Sequence, residues 1–162
     1  MSENYIVING NKIRLTEEQV NLLGFKINTP FTRVAENDMY FGIEFDGAII
    51  PYEDHGDFDN RRYENVNYFN DKAFAKQVAL HQLLDRKLLK FAYENGCEDT
   101  QPWDGDTMKY NIRYQHDLCR FDVDGNYYTH YFGVYFSTEE GAKRAIKEVI
   151  EPFMEQNPDF VW

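Results

Sequence analysis

Tight-turn signals, each followed by a helix-capping pattern, recur along this chain and restrict it to an α+β fold of successive antiparallel hairpins. Asn9-Gly10 and Asp46-Gly47 are dipeptides that adopt positive φ readily, as a two-residue hairpin turn requires, and Asp124-Gly125-Asn126 reads as a third turn. Tyr5–Ile8 and Lys12–Leu15 flank the first as strands. Thr16 caps a short helix, with Gln19 in the capping-box position. Val20, Leu22 and Leu23 are its apolar positions, and Gly24 ends it. Met39–Phe45 and Ala48–Tyr52 flank the second turn. An acidic loop over 53–59 then leads through Arg61-Arg62-Tyr63 to Asn70, which is expected to cap a long helix over 71–95 closed by Gly96. Lys109–Tyr114, Leu118–Val123 and Tyr127–Phe136 read as three strands. Ser137 is expected to cap the last helix, with Glu140 completing its box and Pro152 kinking or ending it.

The pattern therefore predicts β–β–α units with each helix packed on one face of a sheet. Three segments follow: 1–38, a hairpin-helix unit and connector; 39–96, a hairpin plus the long helix; and 97–162, three strands plus a helix. Residues 67–76 and 134–143 echo one another, an aromatic strand end followed by a cap and a helix carrying Ala and Lys in register. The apolar ending Phe160-Val161-Trp162 is expected to dock on the body of the protein.

The long helix carries two faces. Phe74, Val78, Leu84, Leu88, Phe91 and Ala92 fall together at helical spacing, with His81 and Asp85 adjacent on that side. A His–Asp pair orients an imidazole for proton transfer in an active site, or satisfies itself at the edge of a core. Lys72, Lys76, Arg86, Lys87 and Lys90 lie opposite. Residues 70–95 hold five bases and three acids, so this face is either a site for phosphate or an acidic partner, or a solvated surface.

The whole chain of 162 residues is strongly acidic, with 28 acids against 17 bases and a net charge of -11. Such a surface repels nucleic acid and attracts cationic proteins. Aromatic residues make up 17% of the sequence, more than a disordered chain carries. Cys97 and Cys119 have no framework or Cys-x-x-Cys spacing and read as reduced thiols. The segment MSENYIVING lacks the basic and apolar regions of a signal peptide, and no stretch is long and apolar enough to span a bilayer.

No phosphate-binding loop, dinucleotide fingerprint or nucleophile elbow occurs. His55, His81, His116 and His130 share no ligand spacing, and the loops 54–59 and 122–126 lack the order of a calcium loop. The expectation is a non-enzymatic protein with no cofactor and no metal. Its carboxylates Glu53, Asp54, Asp57, Asp59, Glu98, Asp99, Asp104 and Asp106 then serve as the partner-binding set.

Four strings are familiar together: Leu15–Gly24 (LTEEQVNLLG), Thr29–Val34 (TPFTRV), Tyr40–Ile43 (YFGI) and Val134–Glu140 (VYFSTEE). With the ending Asn157–Trp162, the chain resembles a group of uncharacterised small acidic proteins of bacteriophages and prophages over nearly its whole length. That resemblance implies an accessory protein acting in the host cytoplasm. In size and charge such proteins resemble inhibitors of host defence, including anti-CRISPR proteins. It implies a host defence protein as partner, a CRISPR effector among the options, with carboxylates competing for a DNA or RNA channel. Two other expectations stand beside it: a structural or self-assembling phage adaptor, and a nucleic-acid binder using the basic face of 71–95.

Overall fold

The computed structural model describes residues 5–8, 10–23 and 28–162. The fold is α+β, with small antiparallel sheets and several helices. The chain divides into two compact units, Met1–Ile43 with Ile49–Ala75, and Glu44–Ala48 with Lys76–Trp162. This division falls inside the long helix, whereas the sequence pattern divides at 38 and 96.

In the first unit, β1 (Tyr5–Ile8) pairs with β2 (Asn11–Arg14), Tyr5 opposite Arg14 and Ile8 opposite Asn11. Gly10 takes positive φ in the turn; Asn9 lies outside the described residues, as does Gly24, the expected helix terminator. The capping box forms as expected. The Gln19 amide nitrogen donates to Thr16 Oγ1 at 3.2 Å, and the Thr16 nitrogen donates to Gln19 Oε1 at 2.9 Å. The helix α1 (Glu17–Leu22) is so short that of its expected apolar positions only Val20 is buried, while Leu22 and Leu23 stay exposed.

β3 (Met39–Ile43) pairs with β4 (Ile49–Glu53) around a turn in which Gly47 adopts positive φ. Phe41 stands opposite Pro51, which has no N–H to give to a ladder. Phe41 instead exchanges both backbone hydrogen bonds with Phe69 on its other side, at 2.7 and 2.9 Å. Asn67 extends this pairing, its side chain accepting from the Ile43 nitrogen and donating to the Ile43 carbonyl. β3 is therefore flanked on both edges.

The acidic segment is more ordered than an acidic loop. It forms a 3-10 turn, Gly56–Asp59, running into α2 (Asn60–Glu64). The cap of α3 (Lys72–Glu94) also differs from expectation. Asp71 Oδ1 accepts from the nitrogens of Ala73 and Phe74, which makes Asp71 the capping residue. Asn70 is occupied elsewhere, donating to Asn28 Oδ1 and to the carbonyls of Thr29 and Thr32, and so ties down the connector.

In the second unit, β5 (Lys109–Gln115) lies between β6 (Arg120–Asn126) and β7 (Tyr135–Phe136). Asp124-Gly125-Asn126 is not a turn. Those residues pair with Asn111, Tyr110 and Lys109, and β6 runs through them. The chain reverses beyond Asn126, whose Oδ1 accepts from the nitrogens of Tyr128 and Thr129. The third strand shrinks to Tyr135–Phe136 because 127–134 forms a loop, with Gly133 at positive φ and the Tyr131 nitrogen donating to the Tyr135 hydroxyl. Glu98 bridges to Phe136 on the outer side of β7.

The last helix starts one residue later than expected. Thr138, not Ser137, is its cap, with Oγ1 accepting from Gly141 at 3.1 Å. A Cβ on Gly141 would meet Cys97 Cβ at 2.6 Å, so the bare backbone permits this close approach. α4 (Glu139–Ala145) passes into a π-helical turn, Ile146–Ile150, and then α5 (Glu151–Gln156). The wider turn lets the helix continue through Pro152, which sits in the first turn of α5, where no N–H is required of it.

Leu84, Leu88, Phe91, Phe136, Ile150 and Phe153 form the heart of the second core, so Leu84, Leu88, Phe91 and Ala92 of the apolar face read for the long helix are buried there, while Val78 is half-buried and Phe74 packs on Phe31 and Phe69 in the first unit. Phe160 is buried against Phe153, and Trp162 packs on Phe121, which docks the C-terminus on its own unit as expected. No helix among the described residues is long and apolar enough to cross a membrane.

Candidate binding site

The carboxylates singled out from the sequence fall into two sets in different units; Asp54 is buried, Asp59, Glu98 and Asp99 are half-buried, and Glu53, Asp57, Asp104 and Asp106 are exposed. In the first unit, Tyr40 and Tyr68 stack with ring centroids 3.9 Å apart. Each sends its hydroxyl to a different acid, Tyr40 to Asp59 at 2.5 Å and Tyr68 to Asp54 at 2.6 Å. Asp54 is 1% exposed and accepts four hydrogen bonds in all: from Arg33 Nε at 2.9 Å, Arg33 Nη2 at 3.1 Å, the Gly56 nitrogen and the Tyr68 hydroxyl. A contact carboxylate must face solvent, and Asp54 does not.

The electrostatics follow this geometry. The Arg33 guanidinium holds the Asp54 carboxyl down at about 2; burial opposes it, and Tyr68 and the Gly56 N–H add to it. Burial pushes the Tyr40 and Tyr68 hydroxyls up, and their bonds to Asp59 and Asp54 add to the effect. Burial acts to raise Asp59, but the Tyr40 hydroxyl and the His55 N–H outweigh it and hold that carboxyl low. Asp54 and Asp59 thus organise the 54–60 turn. Glu53 and Asp57 remain exposed, Asp57 accepting from the Asn60 amide.

On the basic face of α3, Lys76 pairs with Asp159 at 2.9 Å and Lys90 pairs with Glu94. Lys72, Arg86 and Lys87 are exposed. His81 and Asp85 are both exposed at the edge of the second core, with His81 against the Phe160 ring at 4.6 Å. They line a small cavity of about 190 Å³ with Asn111, whose Oδ1 is buried without a partner among the described residues. No group of His, Cys, Asp or Glu among the described residues is arranged to hold a metal ion.

Two carboxylates of the second set, Glu98 and Asp99, line a larger cavity. Asp99 is committed to Lys109, which is fully buried: its Nζ lies 2.6 and 2.8 Å from the two carboxylate oxygens and 2.5 Å from the Gln101 carbonyl. The same ammonium stands 5.2 Å over the Trp103 ring. Trp103 stacks with His130 at 4.9 Å and meets Tyr135 edge-on at 5.1 Å. These rings, with Leu89 and Tyr93 of α3 and Glu98, line a cavity of about 440 Å³. That size is in the range of small-ligand sites, roughly 300–1,000 Å³. Glu98 Oε2 is buried with no hydrogen-bond partner among the described residues.

Asp104 and Asp106 are exposed on the same segment. Asp104 accepts from the nitrogens of Asp106 and Thr107, bonds that hold its carboxyl below the usual range. Gly105 lies directly against the Tyr128 ring, placing these acids beside the 127–133 loop. There Tyr128, Tyr131 and Phe132 are exposed, Phe132 completely. The sequence reading singled out the carboxylates but missed the rings that accompany them. The available signal was Trp103, a large aromatic side chain in an otherwise polar connector. Rings beside carboxylates attract positive charge, both by cation–π contact and by the local field.

Comparison with protein-family models, with curated proteins and with solved structures gives no match to this chain.

Proposed function

We propose that this protein works by contact and without chemistry of its own, docking its acidic, aromatic face on a cationic surface of a nucleic-acid-handling protein. The observation that carries this reading is the exposure of Asp104 and Asp106 on either side of Gly105, which lies against the Tyr128 ring, in the loop that also exposes Tyr131 and Phe132. Aromatic anchors beside charge are the side chains that concentrate binding energy at interfaces, and a field of one sign steers association with the opposite sign. Joined to the resemblance to phage proteins, the reading becomes specific. The chain is a phage accessory protein of the host cytoplasm that inhibits a host defence protein, a CRISPR effector in the first instance, by occupying a channel built for DNA or RNA.

The test is affinity capture from host lysate at low and high salt, with heparin as competitor. The expected result is capture of a nucleic-acid-handling protein that salt and heparin both weaken, and that the triple variant E98Q/D104N/D106N loses. Capture indifferent to salt and to that variant contradicts the reading.

A second reading has its own observation. The β1–β2 hairpin exposes Tyr5, Val7, Ile8 and Ile13, and a two-stranded hairpin is marginal in water by itself. An adaptor or self-assembling module would cover that surface. Light scattering after size exclusion separates the two, since self-assembly predicts a concentration-dependent mass.

A further inference from the structure

We infer that the cavity between the C-terminal part of α3 and the segments 98–103 and 130–135 is a socket for one arginine side chain of a protein partner. The inference rests on the docking reading above and assigns the chemistry of the contact.

The local charge balance leads to a single cation. Asp99 and Lys109 neutralise one another, with the lysine fully buried. Glu98 is left as the unbalanced charge of the cavity wall, and its Oε2 is a buried acceptor without a donor among the described residues. A buried carboxylate oxygen without a donor is costly, and a guanidinium that draws the Glu98 carboxylate into the cavity relieves that cost. The protein already stabilises a cation by the same means next door, holding Lys109 between a carboxylate and the Trp103 ring. Tyr93 is 60% exposed and Tyr135 closes the cavity behind it, so aromatic surface meets whatever enters.

The donor set selects the kind of cation. A hard metal ion takes several oxygen ligands, and one unspent carboxylate among rings does not supply them. A guanidinium is planar and weakly hydrated, stacks on aromatic faces and presents several N–H groups in a fixed fork. An ammonium is more strongly hydrated and gives up more on entering such walls.

The test is titration of the full protein with N-acetyl-arginine amide, followed through the indole N–H signal of Trp103, with N-acetyl-citrulline amide as the neutral isostere and N-acetyl-lysine amide as the ammonium control. The expected result is a saturable shift with the arginine probe, weaker with lysine and absent with citrulline. Glu98→Gln should weaken arginine binding about tenfold, the equivalent of one charge-assisted hydrogen bond. Tyr93→Leu, at an exposed position that leaves the fold intact, should weaken it about threefold. An equal response to citrulline, or none to arginine, overturns the assignment; an equal response to lysine overturns the choice of guanidinium. If arginine fails to bind while the protein still captures its cationic partner, the socket falls and the docking reading stands. If arginine binds and capture fails, the socket stands without that reading.

Discussion

Arg33 reaches Asp54 through two nitrogens, and Tyr68 and Gly56 fill the remaining acceptor sites, so this carboxylate is satisfied only as long as every partner is present. Arg33→Met should destabilise the protein by about 3 kcal/mol, because it strands a buried charge. Urea unfolding followed by tyrosine fluorescence measures it. The sign of the pH dependence follows from the depressed carboxyl. Asp54 titrates near 3.8 when unfolded and at about 2 when folded. Its contribution is therefore present above pH 3.8 and is lost as pH falls toward about 2, and Asp59 adds in the same direction. Each pKa unit corresponds to about 1.4 kcal/mol, so the loss attributable to Asp54 is about 2 kcal/mol. Stability profiles of the wild type and Arg33→Met should converge in acid. Parallel profiles would remove the ion pair as the source.

Caps and turns set the elements, and here the sequence was informative to within about a residue. The Thr16–Gln19 box formed as read, because both partners lie within four residues and need nothing from the rest of the fold. The sequence points to Ser137 and Asn70 as caps, each one position early, since the neighbouring Thr138 and Asp71 cap equally well and tertiary contacts decide between them. Thr138→Ala should cost about 1 kcal/mol, while Ser137→Ala should cost only a few tenths, as measured by thermal unfolding. Equal losses would contradict the assignment. Asp124–Asn126 shows the opposite failure: turn-forming residues were absorbed into β6 because β5 supplied a full set of partners. The 54–60 turn was legible as acidic but not as ordered, since Arg33 and the two tyrosines that fix it come from distant parts of the chain.

At the scale of the molecule, a charge of -11 does not translate into a uniform acidic surface. Asp54, Asp59 and Asp99 are consumed by internal partners, and Lys76 and Lys90 are drawn into pairs that reduce the basic face of α3. Of the singled-out carboxylates in the second unit, Asp104 and Asp106 stay exposed beside the Tyr128 ring and Glu98 lines the cavity with Trp103 and Tyr135, an arrangement that composition alone could not show because it needs separate segments side by side. Exposed charge is screened within about 8 Å at physiological ionic strength, so partner association should slow as salt rises, with a smaller change in dissociation. Surface plasmon resonance across a salt series checks this.

Carbodiimide labelling of carboxylates, compared by mass spectrometry between the free protein and its captured complex, tests the central claim most directly. Protection of Glu98, Asp104 and Asp106, with Asp57 still labelled, is the predicted result. Unchanged labelling of those three in a complex that instead protects Asp85, beside Arg86 and Lys87, would contradict it.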